Sequence, residues 1–326
     1  MSLTLGSSAS SRYRAPMSVF AGSAHPELSR DIAHYLDIEL GHLSITRFAD
    51  SEIYVKFEES VRGTEAFIIQ PTCQPIDSNL LELLILLDAL KRASAEMITV
   101  VLPYYGYARQ EKKDAPREPI TAKLIANLLT TAGAQRIVAM DLHADAIQGF
   151  FDIPVDHLTA VPIIADYLAE KHLENVVVVS PDEGRVKKVR KIASRLRVPL
   201  AVGYKVHPEH GVSEITGLAG DVRGKTCIVY DDMISTGGSI NEIVNALLAN
   251  GANPEITVAC THAVLAGPAV ERLSRPEIKE LIVTDTIPLP PEKRTAKTTV
   301  LSTAPLFAQA IRRIWTDESV SSLFTD

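Results

Sequence analysis

The sequence has few cysteines and no long uninterrupted apolar segment. Only three cysteines occur among its 326 residues, and they form no Cys-x-x-Cys pair: Cys73, Cys227 and Cys260. This usage favours neither a disulfide framework nor a cysteine-ligated zinc site, and it is typical of a reducing, cytoplasmic environment. The longest apolar segment, around residues 80–90, contains Glu82 and Asp88, so no bilayer-spanning helix and no membrane partner are expected.

The net charge of the chain is also small. The formal net charge is −7, so nucleic acid is not an expected partner. A chain of 326 residues is longer than one hydrophobic core usually spans, and two domains are predicted. Residues 1–16 are rich in serine and lack acidic residues, a composition that a transit peptide would share. The stretch is short, however, and a disordered or appended extension is favoured.

Short apolar runs alternate with helical patterns along the rest of the chain. The predicted strands include residues 66–70, 98–103, 137–140, 176–180 and 226–230, and the predicted helices include residues 26–40 and 239–250. This alternation is typical of an α/β fold with parallel sheets. We predict two similar halves, residues 17–159 and 160–303, each with a mainly parallel sheet covered by helices. A final helix within residues 304–326 is predicted to pack back on the first half.

The stretch IVYDDMISTGGS, residues 228–239, combines an apolar strand, two carboxylates and a glycine-containing loop. Backbone amides of such a loop, where it opens a helix, form a nest for a phosphate group. Glycine allows the backbone to approach the anion closely. The paired carboxylates of Asp231 and Asp232 suit two vicinal ribose hydroxyls. The motif therefore predicts a phosphoribosyl site, and a plain turn capped by Ser239 is the alternative.

This motif resembles the phosphoribosyl-diphosphate loop of the type I phosphoribosyltransferase superfamily. Four other segments resemble the ribose-phosphate pyrophosphokinase family: RFADSE (47–52), PYYGYARQEKK (103–113), REPITAKLIANLL (117–129) and DLHADAIQGFFDIPVDHL (141–158). The resemblance covers residues 19–324. It implies two phosphoribosyltransferase-like domains and transfer of the β,γ-diphosphoryl group of Mg-ATP to O1 of ribose 5-phosphate, with release of AMP.

The resemblance implies five ATP-binding residues: Arg109, Gln110, Phe48, Asp50 and Glu52. Arginine offers a bidentate fork for phosphate, and in the family the aromatic segment reaches the site of a neighbouring subunit. By itself, RFADSE is uninformative, and an exposed acidic loop is then the favoured interpretation. Ser51 stands where the family has glycine, a mild change unless the backbone there has a positive φ.

His143 and Asp182 each follow a predicted strand, at the sheet edge where ligands bind in α/β folds. Imidazole is an unusual ligand for Mg²⁺, so the residues alone leave open a packed histidine at position 143. The resemblance implies that both residues bind Mg²⁺ together with ATP. It also implies that the charged loop of residues 112–117 closes over ATP and excludes water.

Three positions depart from the family pattern near the predicted catalytic residues. Lys205 is retained as a cation for the transferring phosphates, although a solvated lysine is the alternative. His207 stands where the family commonly has arginine, and histidine is only partly charged near neutral pH. Arg185 stands where glycine is usual; it either crowds the loop beside Asp182 or restores the cation lost at position 207. Ser235 replaces an aspartate within the predicted ribose 5-phosphate site, whose residues are Asp231, Asp232, Ser235, Thr236, Gly237, Gly238 and Ser239.

Two interpretations of activity follow from these departures. An active synthase is favoured because the ATP, metal and sugar residues are retained, whereas a catalytically weakened homologue would act as a regulatory or associated subunit. A phosphoribosyltransferase that consumes the diphosphate would need one such loop and a base pocket, not two α/β halves.

Regulation and assembly are implied only by the resemblance. It implies a homohexamer built from dimers, with ADP or phosphate as effectors. The matching residues for a regulatory anion are Arg62, Arg117, Ser319 and Ser321. A helix end followed by a solvated tail is the alternative for the two serines.

Overall fold

Two sheets covered by helices organise the chain in the computed structural model, which describes residues 14–206 and 214–323. The strands are β1 (Met17–Ala21), β2 (Leu43–Arg47), β3 (Ile53–Phe57), β4 (Glu65–Ile69), β5 (Met97–Leu102), β6 (Arg136–Met140), β7 (Val155–Leu158), β8 (Val176–Ser180), β9 (Leu200–Val206), β10 (Glu214–Ala219), β11 (Thr226–Ile234), β12 (Ile256–Ala263), β13 (Ile278–Thr284) and β14 (Thr298–Leu301). The helices are α1 (Pro26–Leu36), α2 (Ile76–Arg92), α3 (Thr121–Ala132), α4 (Val161–Glu170), α5 (Val186–Leu196), α6 (Gly238–Ala249), α7 (Ala269–Leu273) and α8 (Ala304–Trp315).

The first sheet has the order β1-β4-β5-β6-β7, and all its neighbouring strands are parallel. The second has the order β10-β9-β8-β11-β12-β13-β14, in which only the edge strand β10 is antiparallel to its neighbour. Central strands such as β8, with the sequence VVVVS, are buried along their whole length because helices cover both faces of the sheet. The predicted α/β class with two mainly parallel sheets is confirmed.

A separate antiparallel hairpin of β2 and β3 extends from the first half. The sequence prediction placed no strand there. Its strands, LSITR and IYVKF, are only partly buried, and each alternates apolar with polar residues. That alternation is the signal of a half-exposed strand, and it was available in the sequence.

One apolar cluster joins both sheets and the last helix. It contains Val138 of β6, Tyr230 of β11 and Ile311 of α8. Helix α8 lies against α1, where Arg312 Nη2 donates hydrogen bonds to the carbonyls of Tyr35 and Leu36 at 3.2 and 3.1 Å. Because this cluster is continuous across the sheets, the predicted boundary between residues 159 and 160 stays a prediction.

Two predicted boundaries are wrong. The first helix ends at Leu36, not at residue 40, because Asp37 takes a left-handed conformation with φ 60° and its amide donates to the last turn. Strand β11 continues to Ile234, because Met233 and Ile234 pair with His262 and Ala263 of β12. Asp231 and Asp232 therefore lie within the strand and not after it.

Some predictions concern residues that the structure does not describe. The extension at residues 1–16 lies outside the described residues except for its last three, and so does His207. Lys205 belongs to β9, but its side chain is also outside the described part. Across residues 14–206 and 214–323, no helix has the length and apolar character needed to cross a membrane.

Candidate active site

The loop between β11 and α6 has the geometry of a phosphate site. Gly237 occupies the N-cap position of α6 with φ 71°, a conformation that L side chains rarely adopt. Because glycine offers no side-chain acceptor, the first-turn amides of α6 and the positive end of its dipole remain directed at the loop. Such a helix start favours an anion. The predicted residues Ser235 to Ser239 all line one cavity of about 190 Å³.

Arg272 of α7 holds this loop from a neighbouring element. Its Nη1 donates a hydrogen bond to the carbonyl of Thr236 at 3.0 Å. A Cβ atom added to Gly238 would lie 3.6 Å from the same nitrogen. The sequence prediction missed Arg272, because a single arginine in a short helix carries no motif and its contact depends on how α7 packs.

Asp232 is buried beside the loop, and Asp231 next to it is partly exposed. The side chain of Asp232 is 0% exposed and that of Asp231 is 13% exposed. Burial and the adjacent charge of Asp232 raise the pKa of Asp231 well above its ordinary value. Burial also disfavours ionised Asp232, but a hydrogen bond with His143 and the charge of Arg185 outweigh it. The pKa of Asp232 therefore lies below its ordinary value.

Arg185 places its guanidinium group between these carboxylates and His143. Its Nε lies 3.1 Å from Asp231 Oδ1 and 2.8 Å from Asp232 Oδ1. Its Nη2 lies 3.0 and 3.1 Å from the two ring nitrogens of His143. The two roles expected from the sequence were crowding of the loop beside Asp182 and replacement of the cation lost at position 207. Neither expectation includes contact of Arg185 with the carboxylates predicted to bind ribose.

His143 and Asp182 line the same cavity as the two aspartates. His143 Nδ1 lies 3.0 Å from Asp232 Oδ2. Within residues 14–206 and 214–323, no group of three or more His, Cys, Asp or Glu side chains is arranged to hold a metal. A smaller protein donor set still fits Mg²⁺, which usually keeps several waters and takes further oxygens from bound phosphates.

Asp232 also provides a buried negative charge for a cation at this site. Asp232 Oδ1 is buried and has no hydrogen-bond partner among the described atoms. Arg185 Nε is nevertheless 2.8 Å away and supplies a positive charge. The buried carboxylate therefore already faces one positive charge, as expected of a site that attracts cations.

Arg109 reaches the cavity from the first half of the chain. It follows β5 after a short loop, and it lines both this cavity and an adjoining one of about 930 Å³ that also includes Ser235. Gln110 points elsewhere, because its Oε1 accepts a hydrogen bond from Thr121 Oγ1 at 2.5 Å. The structure brings Arg109 to the candidate site, whereas the ATP contact of Gln110 stays a prediction.

The loop predicted to close over ATP, residues 112–117, is exposed throughout. The amides of Asp114 and Ala115 both donate to Glu118 Oε2 at 2.9 Å. Arg117 has a positive φ of 71°. The closure of this loop stays a prediction.

Phe48, Asp50 and Glu52 lie at the turn of the β2–β3 hairpin and are not among the residues that line the 190 Å³ cavity. The ring of Phe48 is 56% exposed. Ser51 has a positive φ of 75°. The serine that stands here in place of glycine is therefore not a mild change. A left-handed conformation costs a serine about 1 kcal/mol relative to glycine.

The predicted regulatory residues are not brought together. Ser321 lines a separate cavity of about 430 Å³ with Lys187, Lys188 and Lys191. Ser319 uses its carbonyl to accept a hydrogen bond from Arg313 at 2.8 Å. The other two predicted residues, Arg62 and Arg117, are exposed and lie outside this lining.

Two family models match the chain. The N-terminal domain of ribose phosphate pyrophosphokinase matches residues 17–133. A phosphoribosyl synthetase-associated domain matches residues 208–325. The second match includes the candidate phosphate loop and Arg272.

Individual proteins resemble the chain over almost its whole length. A ribose-phosphate pyrophosphokinase of Bacillus subtilis is 51% identical over 309 residues, which cover 95% of this chain and 97% of the relative. One from Caldanaerobacter subterraneus is 52% identical over 315 residues, with coverage of 96% and 99%. The crystal structure of phosphoribosylpyrophosphate synthetase from Mycobacterium smegmatis superposes with a TM-score of 0.88 at 48% identity, covering 93% of this chain and 99% of that one.

Proposed function

Because the chain belongs to the ribose-phosphate pyrophosphokinase family, we propose that it transfers the β,γ-diphosphoryl group of Mg-ATP to O1 of ribose 5-phosphate. The products are 5-phosphoribosyl 1-diphosphate and AMP, and the reaction serves nucleotide biosynthesis. One observation carries this proposal for the site itself: the phosphate loop, the buried aspartate pair, Arg109, His143 and Asp182 all line a single cavity.

The sugar phosphate occupies the loop and the aspartate pair. Amides at the start of α6, from Thr236 to Ser239, hold the 5-phosphate, and the carboxylates of Asp231 and Asp232 accept hydrogen bonds from the ribose hydroxyls. Ser235 lies between the two cavities that it lines, next to the reacting part of the sugar. The left-handed Gly237 supports this assignment, because it allows the backbone to approach the phosphate.

ATP is bound by residues of the first half of the chain and by residues of a neighbouring subunit. Arg109 and Gln110 bind its phosphates and ribose, and Asp182 and His143 hold Mg²⁺ with it. When bound, Mg²⁺ neutralises negative charge on the diphosphoryl oxygens. Phe48, Asp50 and Glu52 of the next subunit bind the adenine side, and the high exposure of Phe48 supports this role.

Transfer requires positioning and positive charge. The bond from O1 to the β-phosphorus forms as the bond from that phosphorus to the bridging oxygen breaks. This oxygen leaves with AMP, and the proton of the O1 hydroxyl passes to solvent. Three side chains, Lys205, His207 and Arg185, supply cationic groups near the phosphoryl oxygens, whose charge they stabilise. The loop of residues 112–117 covers ATP, so that water does not replace the sugar as acceptor.

Assembly and regulation are part of the same proposal. The exposed apolar side chains of Ile120, Leu124 and Leu128 support a homohexamer built from dimers. These residues are spaced four apart on α3 and just before it, so they form one exposed apolar stripe. ADP or phosphate acts as effector. The cavity beside Ser321 contains three lysines and three aspartates, and its charge therefore does not by itself favour an anion. The three cysteines are free and buried, which supports a cytoplasmic location.

Incubation of the purified chain with Mg-ATP and ribose 5-phosphate tests the proposed function. AMP and phosphoribosyl diphosphate should appear in equal amounts. If neither appears across pH, metal and phosphate conditions, the proposal is rejected in favour of a weakened homologue that associates with an active subunit.

A further inference from the structure

The Arg185 side chain contacts the two carboxylates on which the proposed sugar site depends. Asp231 Oδ1 accepts a hydrogen bond from Arg185 Nε at 3.1 Å and another from the amide of Asp232 at 2.8 Å. A carboxylate oxygen has two lone pairs. This oxygen is therefore fully engaged and cannot accept a hydrogen bond from a sugar hydroxyl until Arg185 leaves.

The same guanidinium group also engages the other residues around the sugar. Its Nε is 2.8 Å from Asp232 Oδ1, and its Nη2 contacts both ring nitrogens of His143. The Arg185 side chain is only 15% exposed. It thus fills the space between the aspartate pair and His143.

We propose that Arg185 is a latch, an internal cation that closes the ligand-free ribose site and that ribose 5-phosphate must displace. This inference rests on the proposed function, because it assumes that the aspartate pair binds the sugar. Ribose 5-phosphate must then compete with an intramolecular ion pair, which a glycine at position 185 would not form. The latch lowers the apparent affinity for the sugar.

The backbone around Arg185 permits such a movement. Arg185 ends the short 3₁₀ turn Glu183–Arg185 and is the N-cap residue of α5, with φ −99° and ψ −7°. That conformation is unstrained, so rotation of the side chain alone removes the guanidinium from the carboxylates. The released cation stays in the cavity that receives the diphosphoryl group, where it pairs with phosphate oxygens.

Binding of ribose 5-phosphate to the full chain, without ATP, tests the latch by isothermal titration calorimetry. R185A removes the guanidinium while the helical backbone is kept, and R185Q keeps a polar side chain without charge. Both should tighten binding about tenfold or more, the effect of removing a competing charge-assisted hydrogen bond. R185K should stay closer to the unsubstituted protein, because it retains a cation.

The control is R190A, which removes an exposed arginine from the same helix and should leave the dissociation constant unchanged.

Thermal unfolding provides a second measurement. Without ligand, R185A should unfold at a lower temperature than the unsubstituted protein, because two buried carboxylates lose their cation. Ribose 5-phosphate should then raise the unfolding temperature of R185A by more than that of the unsubstituted protein.

The outcomes separate this inference from the proposed function. If the unsubstituted chain binds ribose 5-phosphate but R185A and R185Q bind it equally or more weakly, the latch is overturned and the sugar site stands. If neither the unsubstituted chain nor R185A and R185Q bind the sugar, and no AMP forms, both proposals are overturned.

Discussion

Arg272 and Thr236 connect α7 to the phosphate loop through a single hydrogen bond of 3.0 Å, from the guanidinium Nη1 to the backbone carbonyl. The bond orients the peptide that precedes Gly237, the residue with the left-handed conformation. The shape of the loop therefore depends on a residue 36 positions further along the chain.

Replacing Arg272 by alanine should weaken the binding of ribose 5-phosphate while turnover is largely retained. The loop amides lose their orientation, and loss of one such hydrogen bond raises the KM for the sugar about fivefold. Steady-state kinetics with saturating ATP measure this effect. K279A is the matched control, because Lys279 pairs with Glu255 in an exposed position. A fall in kcat with unchanged KM would contradict the positioning role.

Ser51→Gly should stabilise the hairpin turn. Ser51 has φ 75°, and glycine adopts this conformation at a lower cost, by about 1 kcal/mol. The amide of Phe48, which donates to the carbonyl of Glu52 at 2.9 Å, should then exchange with solvent about fivefold more slowly.

Hydrogen exchange of the hairpin amides measures that change. Ser44→Gly is the opposite control, because Ser44 lies within β2, paired with Lys56, where glycine weakens a strand. Equal or faster exchange at Phe48 in S51G would show that the turn is not strained.

Ser235→Asp should lower activity with ribose 5-phosphate. Ser235 lines a cavity that already contains three aspartates, and a fourth carboxylate repels the incoming phosphate. We expect kcat/KM for the sugar to fall about tenfold, whereas Ser235→Asn, which adds similar volume without charge, should stay near the unsubstituted value. A large rise in S235D would instead mark the serine as a lost catalytic function.

Acid should destabilise the protein partly through His262. This side chain is buried between the carbonyls of Met140 and Asp141 and the hydroxyl of Thr286. Burial lowers the pKa of His262, although the negative charges of Asp141 and Asp232 oppose the shift. The unfolded chain therefore takes up this proton at a higher pH than the folded protein does. The stability that neutral His262 contributes is fully present above pH 6.5, the ordinary pKa of histidine. It is lost as the pH falls below that value.

Unfolding temperatures at pH 7.5 and pH 5.0 test that direction. H262Q should show a smaller decrease between the two values than the unsubstituted protein. H42Q, at an exposed histidine, should show the unsubstituted decrease. An unchanged decrease in H262Q would exclude His262 as a source of acid sensitivity.

The order of strands and helices was largely predictable because it depends on residues close together in the chain. Buried strands such as β8 are continuous apolar runs, and the phosphate loop with its flanking strand and helix lies within residues 226–249. The hairpin was missed although its strands alternate regularly. The conformation of Ser51 could only be stated as a condition, since serine rarely adopts a positive φ.

By itself, the sequence determined the fold class, the phosphate loop and the polar residues that follow each strand, since these patterns are local. Only the tertiary structure decided which of those residues meet. Arg185 lies 46 positions before Asp231 and 42 positions after His143, yet one guanidinium group contacts both. Strands β8 and β11 are neighbours in the second sheet and bring Arg185 and Asp231 to one sheet edge. His143 follows β6 of the first sheet, and only the packing of the two sheets brings it to the same guanidinium group. No local pattern carries that information.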